Sequence, residues 1–348
     1  MKAFADVHVH MEQYAAEPAT AMLDRIADCG VTSIALQALP KYSMAENLAV
    51  LYWKTRYRRM EIFAFGGLHQ FDCFGDIPYE KQAERLLDLG FDGMKFLDMK
   101  PDFRKRLGKG LNDPSYDRMF SLLEERQVPV MIHSGDPESF WDRSQVTEYQ
   151  IRRGWFYGDG TFLTSREIYE EVFAMLDRHP ALQVTLAHFF FLSQQLDEAV
   201  RVMETYPNVR FDLTPGGEMY LGFSKNIDAW HDFFIQYRNR ILFGTDSNTM
   251  KGETNASLNG FIRTALTHDR SLFTGKCYGD MTIRGLDLDE DTVQRICCGN
   301  FTDFVGKRRI VPDNAVPGEA ERLYAVVRDN PALEKEKQFI EYVTQNLL

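Results

Sequence analysis

Two histidines one residue apart close the first apolar run of the chain, Phe4-Ala5-Asp6-Val7-His8-Val9-His10. Side chains on a strand alternate faces, so His8 and His10 point the same way, with Phe4 and Asp6 behind them. Two imidazoles at a strand end are half of a transition-metal site, since neutral imidazole is a common ligand. A bare His-x-His also occurs on surface strands and decides nothing alone. Three further apolar runs end in an ionisable group: Val130-Met131-Ile132-His133, Thr185-Leu186-Ala187-His188 and Phe243-Gly244-Thr245-Asp246. A fourth, Gly93-Met94-Lys95-Phe96, carries a lysine. Each of these alone reads as a satisfied polar group, a cap or an ion-pair lysine. Buried together, they are costly unless a cation or mutual pairing satisfies them. A divalent ion does so directly, and it lowers the pKa of a bound water toward ~7.

The elements that must position these groups alternate. Strand candidates are 3–8, 32–37, 62–68, 93–97, 128–133, 183–188, 209–213 and 241–246. Helical patterns separate most of them: 20–29, 44–59, 79–89, 114–126, 165–178, 193–206 and 229–236. Gly30, Gly90, Pro180 and Pro207 stand where helices should stop. Alternation of this kind demands a parallel sheet, and eight repeats fit a closed (β/α)8 TIM barrel. His8, His10, Lys95, His133, His188 and Asp246 then share the carboxyl ends of the strands, the catalytic face of such a barrel. We expect the barrel over residues 1–310 and a C-terminal helical extension, 311–348, packed on it. The apolar positions of that extension (Leu323, Val326, Val327, Phe339, Ile340, Val343) cover the barrel or form a contact in a homo-oligomer.

Composition narrows the function. The 348 residues carry a net charge of −11 with no long basic stripe, which argues against nucleic acid as a partner. An apolar share of 44% excludes global disorder. Five cysteines, an odd count without a C-x-x-C pair, read as reduced thiols of a cytoplasmic protein. No leader and no membrane-spanning run is visible.

The ordered set Asp6-Val-His8-Val-His10, Lys95, His133, His188 and Phe243-Gly-Thr-Asp246 resembles the amidohydrolase superfamily. More narrowly it is similar to the amidohydrolase-2 branch, which holds aminocarboxymuconate-semialdehyde decarboxylase-like enzymes and assorted hydrolases. Ile296-Cys-Cys-Gly299-Asn300-Phe-Thr-Asp-Phe304 is similar to the Gly-Asn helix motif of that branch. The resemblance covers about residues 3–310. It implies that His8, His10, His133 and Asp246 bind one zinc ion, Mn2+ or another divalent metal remaining open, and that His188 takes part in catalysis. It also implies a second possibility, a carbamylated Lys95 bridging two metals with His133 and His188 on the second. The implied reaction is hydrolysis of an ester, lactone or amide of a small, anionic substrate, with Asp246 moving the proton of the attacking water and Lys95, if unmodified, binding substrate. The same metal set serves nonoxidative decarboxylases of unsaturated or aromatic acids. A non-catalytic metal-binding barrel is a third reading, disfavoured because no expected ligand is missing.

The substrate side is less specific. The segment 134–164 is long, Gly-rich and aromatic, and reads as a lid or binding insertion. Its Arg143, Arg152 and Arg153 suit a bidentate clamp on a carboxylate or phosphate, and Trp141, Trp155 and Tyr157 an apolar wall. His69, followed by Gln70 and Asp72, is a further pocket candidate. Asp6 is a candidate to orient an imidazole. Lys100 to Lys109 reads as a solvated basic loop, and Thr214-Pro-Gly-Gly217 as a flexible turn with Glu218 an exposed acid beside it.

Overall fold

The computed structural model describes residues 4–11, 16–40, 43–70, 77–216 and 218–346. Asp72 and Cys73 lie outside that set, and the four described cysteines are free thiols. Nine parallel strands form one sheet in the order β8-β7-β6-β5-β4-β3-β2-β1-β9. They are β1 (Phe4–His10), β2 (Val31–Gln37), β3 (Glu61–Gly66), β4 (Gly93–Met99), β5 (Val130–Ser134), β6 (Val184–Leu186), β7 (Val209–Asp212), β8 (Ile241–Leu242) and β9 (Ser247–Asn248). β8 pairs with β7, whereas β9, only a few residues on, pairs with β1. Val7 N donates to Phe243 O (3.0 Å) between the two pieces. β8 and β9 are therefore the halves of a single eighth strand, which bridges β7 and β1 and closes the barrel. The eight expected strands are present, the last of them interrupted. Parallel strands covered by helices on the outside are buried on both faces, and β4 and β5 are buried at every position.

Three strand ends differ from expectation. The first strand runs through both histidines to His10. The sixth stops at Leu186, short of His188, because His188 turns into left-handed backbone (φ 56°). The eighth breaks before Asp246, also left-handed (φ 53°). L-residues avoid that region at a cost of about 1–2 kcal/mol each, so it marks sites the surroundings over-determine. The stretch from Lys100 is not a solvated loop. Residues 101–107 form a helix, with Arg104 bidentate on Glu171 (2.7 Å twice) and Lys105 over the Phe162 ring (4.0 Å). Beyond the barrel strands the chain adds a hairpin, β10 (Leu272–Lys276) and β11 (Asp280–Arg284), which the βα rhythm did not announce.

The C-terminal helices 315–327 and 334–345 bury Leu323, Val327, Phe339, Ile340 and Val343 in the same apolar cluster as the barrel's outer layer. Tyr52 of the helix 46–56 meets the rings of Phe339 and Tyr342. At the opposite end of the barrel, fully buried Lys54 donates to Asp92 (2.6 Å), which also accepts from the backbone of Ala64 and Arg309. No helix among the described residues is long and apolar enough to cross a membrane.

Candidate active site

The carboxyl ends of β1 and the split eighth strand bring three metal-binding groups to one point. Ligand atoms of His8, His10 and Asp246 all lie within 4.8 Å of one another. The two Nε2 atoms are 2.9 Å apart, and Asp246 Oδ1 is 3.3 Å from His10 Nε2 and 3.8 Å from His8 Nε2. Lys95 Nζ is 3.1 Å from His8 Nε2. Gly244 is required where the eighth strand passes: a Cβ there would meet Thr214 Oγ1 at 2.5 Å and crowd the Cβ of His8.

His133 and His188 stand alongside. Their rings are 4.8 Å apart, and His188 is 5.3 Å from the His8 ring and stacks on Phe191. His133 does not join the three-residue cluster; its Nε2 faces Gly135 O (3.1 Å) and Asp136 Oδ1 (3.5 Å).

Burial sets the electrostatics. The His8 imidazole is held well below its ordinary value by burial and then by Lys95 and His10. Burial lowers His133 to about 4 and His188 to about 3, so both rings are neutral at pH 7. Lys95 is lowered to about 8 by burial, against the attraction of Asp212 and Asp246. Burial pushes the Asp246 carboxyl up, but Lys251 and the two histidines outweigh it and hold it well below the carboxylate range.

Two imidazoles, one of them held neutral by burial, and an ionised carboxylate around one point are the donor set a borderline divalent ion takes. The buried Nδ1 of His10 has no hydrogen-bond partner among the described residues, while the Nε2 atoms of both rings face the carboxylate. The residues fit a metal, which His8, His10 and Asp246 would hold.

Several contributors were not singled out in the sequence. Asp212, at the end of β7, is 2.7 Å from His8 Nδ1 through Oδ2. Thr214 Oγ1 lies 3.0 Å from the same nitrogen, so the turn after β7 begins as a fixed part of the site. Lys251 binds Asp246 Oδ2 (2.8 Å) and the Asp246 carbonyl, and reaches Tyr278 of the hairpin (3.1 Å). Asp6 orients no imidazole. It accepts from the backbone of His8 (3.0 Å) and from the backbone and hydroxyl of Thr245, and burial keeps its carboxyl up at about 7 against those bonds. It ties β1 to the eighth strand. Glu218 is half-buried rather than exposed, and burial pushes it up to about 7.

The substrate candidates are scattered. Arg143 is exposed and pairs with Glu148 (2.9 Å), and Arg152 is exposed. Arg153 lies over the Trp155 ring (5.2 Å), and Trp155 stacks on Phe140. His69 packs near Asn47 (3.3 Å) and lines a small cavity with Arg85 and Glu319 of the C-terminal helix. The loop after β5 is instead anchored by Asp136, which accepts from Lys100 and from Tyr157 (2.6 Å) and lies beside His133.

A closed α/β barrel with a His-x-His pair on its first strand, a carboxylate on its eighth and further histidines on the fifth and sixth defines a class of metal-dependent enzymes. Residues 5–306 match the Amidohydrolase family, and the chain belongs to it. No curated protein matches the chain. Among solved structures it is similar to an uncharacterised TIM-barrel protein from Bordetella bronchiseptica (TM-score 0.55, 14% identity, 88% of this chain and 100% of that one). It is also similar to 2,6-dihydroxybenzoate decarboxylase (TM-score 0.50, 15% identity, 88% and 99%). A third likeness is to 4-oxalomesaconate hydratase from Rhodopseudomonas palustris (TM-score 0.50, 14% identity, 95% and 99%). At these identities what is shared is the fold, and the two named reactions, a decarboxylation and a hydration, differ.

Proposed function

We propose that this amidohydrolase is a hydrolase of an ester, lactone or amide bond in a small anionic substrate, dependent on one zinc ion held by His8, His10, Asp246 and His133. The observation that carries the reading is the approach of two imidazoles and an ionised carboxylate within 4.8 Å, with Lys95 against His8. A cation there supplies Lewis acidity to water and carbonyl oxygen at neutral pH. Asp246 commits Oδ2 to Lys251, leaving Oδ1 to accept the proton of the attacking water. Neutral His188 gives its Nδ1 proton to Thr214 O (3.3 Å), which leaves the Nε2 lone pair, beside His8 and His133, as an acid–base partner that accepts a proton during turnover. Lys95 contacts no carboxylate among the described residues, so its ammonium has charge to offer an anionic substrate group. His133, whose Nε2 faces Gly135 O (3.1 Å), would be the fourth ligand. The free thiols support a reducing compartment, the cytoplasm.

A second reading is decarboxylation, in which Lys95 would hold the substrate carboxylate. The two readings separate in a screen of lactones and unsaturated carboxylic acids with the zinc-loaded protein. Hydrolysis adds water to the product mass and releases no carbon dioxide; carbon dioxide as the main product overturns the first reading.

A further inference from the structure

We infer that Asp212 is a positioning residue shared by two histidines, and that it couples the metal centre to the placement of His188; the metal half of this inference rests on the reading above. The Asp212 side chain has no exposed surface, and its two oxygens are divided between tasks. Oδ2 accepts a hydrogen bond from His8 Nδ1 at 2.7 Å. Oδ1 accepts from the backbone N–H of His188 (2.7 Å) and of Thr214 (3.2 Å). No lysine or arginine pairs directly with this carboxylate among the described residues, so its acceptor capacity is spent on these groups.

The first task fixes chemistry. A carboxylate on Nδ1 keeps the proton there and leaves the Nε2 lone pair of His8 facing His10 and Asp246, the side from which a cation is held. The second fixes backbone. His188, Phe189, Phe190 and Phe191 all have φ between 52° and 56°, a left-handed turn made of four side-chain-bearing residues. Such a run is unfavourable and persists only where its surroundings hold it. Phe189 and Phe190 are wholly buried, Tyr169 donates to Phe190 O (3.1 Å), and Asp212 grips the first amide. That turn sets the His188 ring between His133 and His8. One carboxylate thus orients a candidate ligand and the group that would meet the substrate.

Asp212→Asn separates the tasks. Its amide oxygen still accepts from His188, while its NH2 faces His8 Nδ1 and drives the ring proton to Nε2. We expect zinc affinity, measured by chelator competition, to fall by about 10–100-fold, the usual loss for such a partner. The 188–191 amides keep wild-type protection from hydrogen exchange. Asp212→Ala loses zinc affinity to a similar extent and also exposes those amides. Thr214→Val, which removes one hydroxyl near Nδ1, costs less than about tenfold. The nitrogen NMR shifts of His8 supply a readout independent of zinc and of variant folding: the wild-type ring must carry its proton on Nδ1. A wild-type His8 protonated on Nε2, or an Asp212→Asn protein that binds zinc within about twofold of wild type, overturns the inference. A wild-type chain that binds no zinc but keeps the Nδ1 proton overturns the metal reading instead.

Discussion

Asp136 anchors the long loop over β5, and neutralising it should unfasten that loop at a cost the structure allows to be worked out. Its buried carboxylate accepts from Lys100 and from Tyr157 OH (2.6 Å) and faces His133 Nε2 (3.5 Å). Asp136→Asn keeps an acceptor for Tyr157 but strands the Lys100 ammonium, whose side chain is only 15% exposed. Removing one partner of a buried pair costs about 3–5 kcal/mol, and the residual exposure of Lys100 moves the expectation toward about 3 kcal/mol. Tyr157→Phe, which deletes one hydrogen bond to a charged group, should cost about 1.5 kcal/mol. Burial raises the Asp136 carboxyl, but Lys100 and His133 outweigh it and hold it well below its ordinary value of 3.8. A depressed folded pKa means the stabilisation is complete above the unfolded value and is lost as pH falls through the folded one. The gap between wild type and Asp136→Asn should therefore be full at neutral pH and shrink below about pH 4. Urea unfolding followed by tryptophan fluorescence measures it, since Trp141 and Trp155 lie in the loop. A difference under about 0.5 kcal/mol at neutral pH, or one that grows on acidification, refutes the reasoning.

Other consequences are quickly checked. In metal-free protein the His133 and His188 NMR resonances should hold neutral-imidazole positions from about pH 7.5 down to about 5, because burial has moved their titrations to about 4 and about 3. A transition near 6.5 for either would contradict the burial that sets them. Lys54→Met, which leaves Asp92 charged and buried, should destabilise the chain by about 3–5 kcal/mol in urea, and an unchanged midpoint would show the pair to be idle. A one-ion centre predicts that the folded protein incubated with 13C-bicarbonate shows no carbamate carbon by NMR and that elemental analysis finds one zinc per chain, whereas a carbamate signal with two ions would establish the binuclear alternative.

The sequence made His8, His10, His133, His188 and Asp246 legible because each ends an apolar run, and in a parallel barrel every such end is on the same face. It also made the alternating elements legible, since helical and strand periods differ. Asp212 ends an apolar run in the same way and went unremarked, although Val209-Arg-Phe-Asp212 offered the same signal. Lys251 and Tyr278 were out of reach for another reason: they sit beyond the eighth strand, on a loop and a hairpin that follow no βα period. The only hint was Cys277-Tyr-Gly279, a short glycine-containing link between alternating runs. The split of the eighth strand and the left-handed turn at His188 depend on tertiary bonds from Asp6, Asp212 and Lys251, and no local propensity encodes those. Substrate contacts were the least legible, because exposed arginines such as Arg143 carry the same signature whether they meet a ligand or a neighbouring glutamate.

His8, His10 and Asp246 should together hold a divalent metal. Zinc content by elemental analysis of wild type and His10→Ala, after equal exposure to zinc and removal of excess, tests it most directly. About one ion per wild-type chain and near none in the variant is the expected result. Equal zinc in the two proteins, or none in wild type, would contradict it.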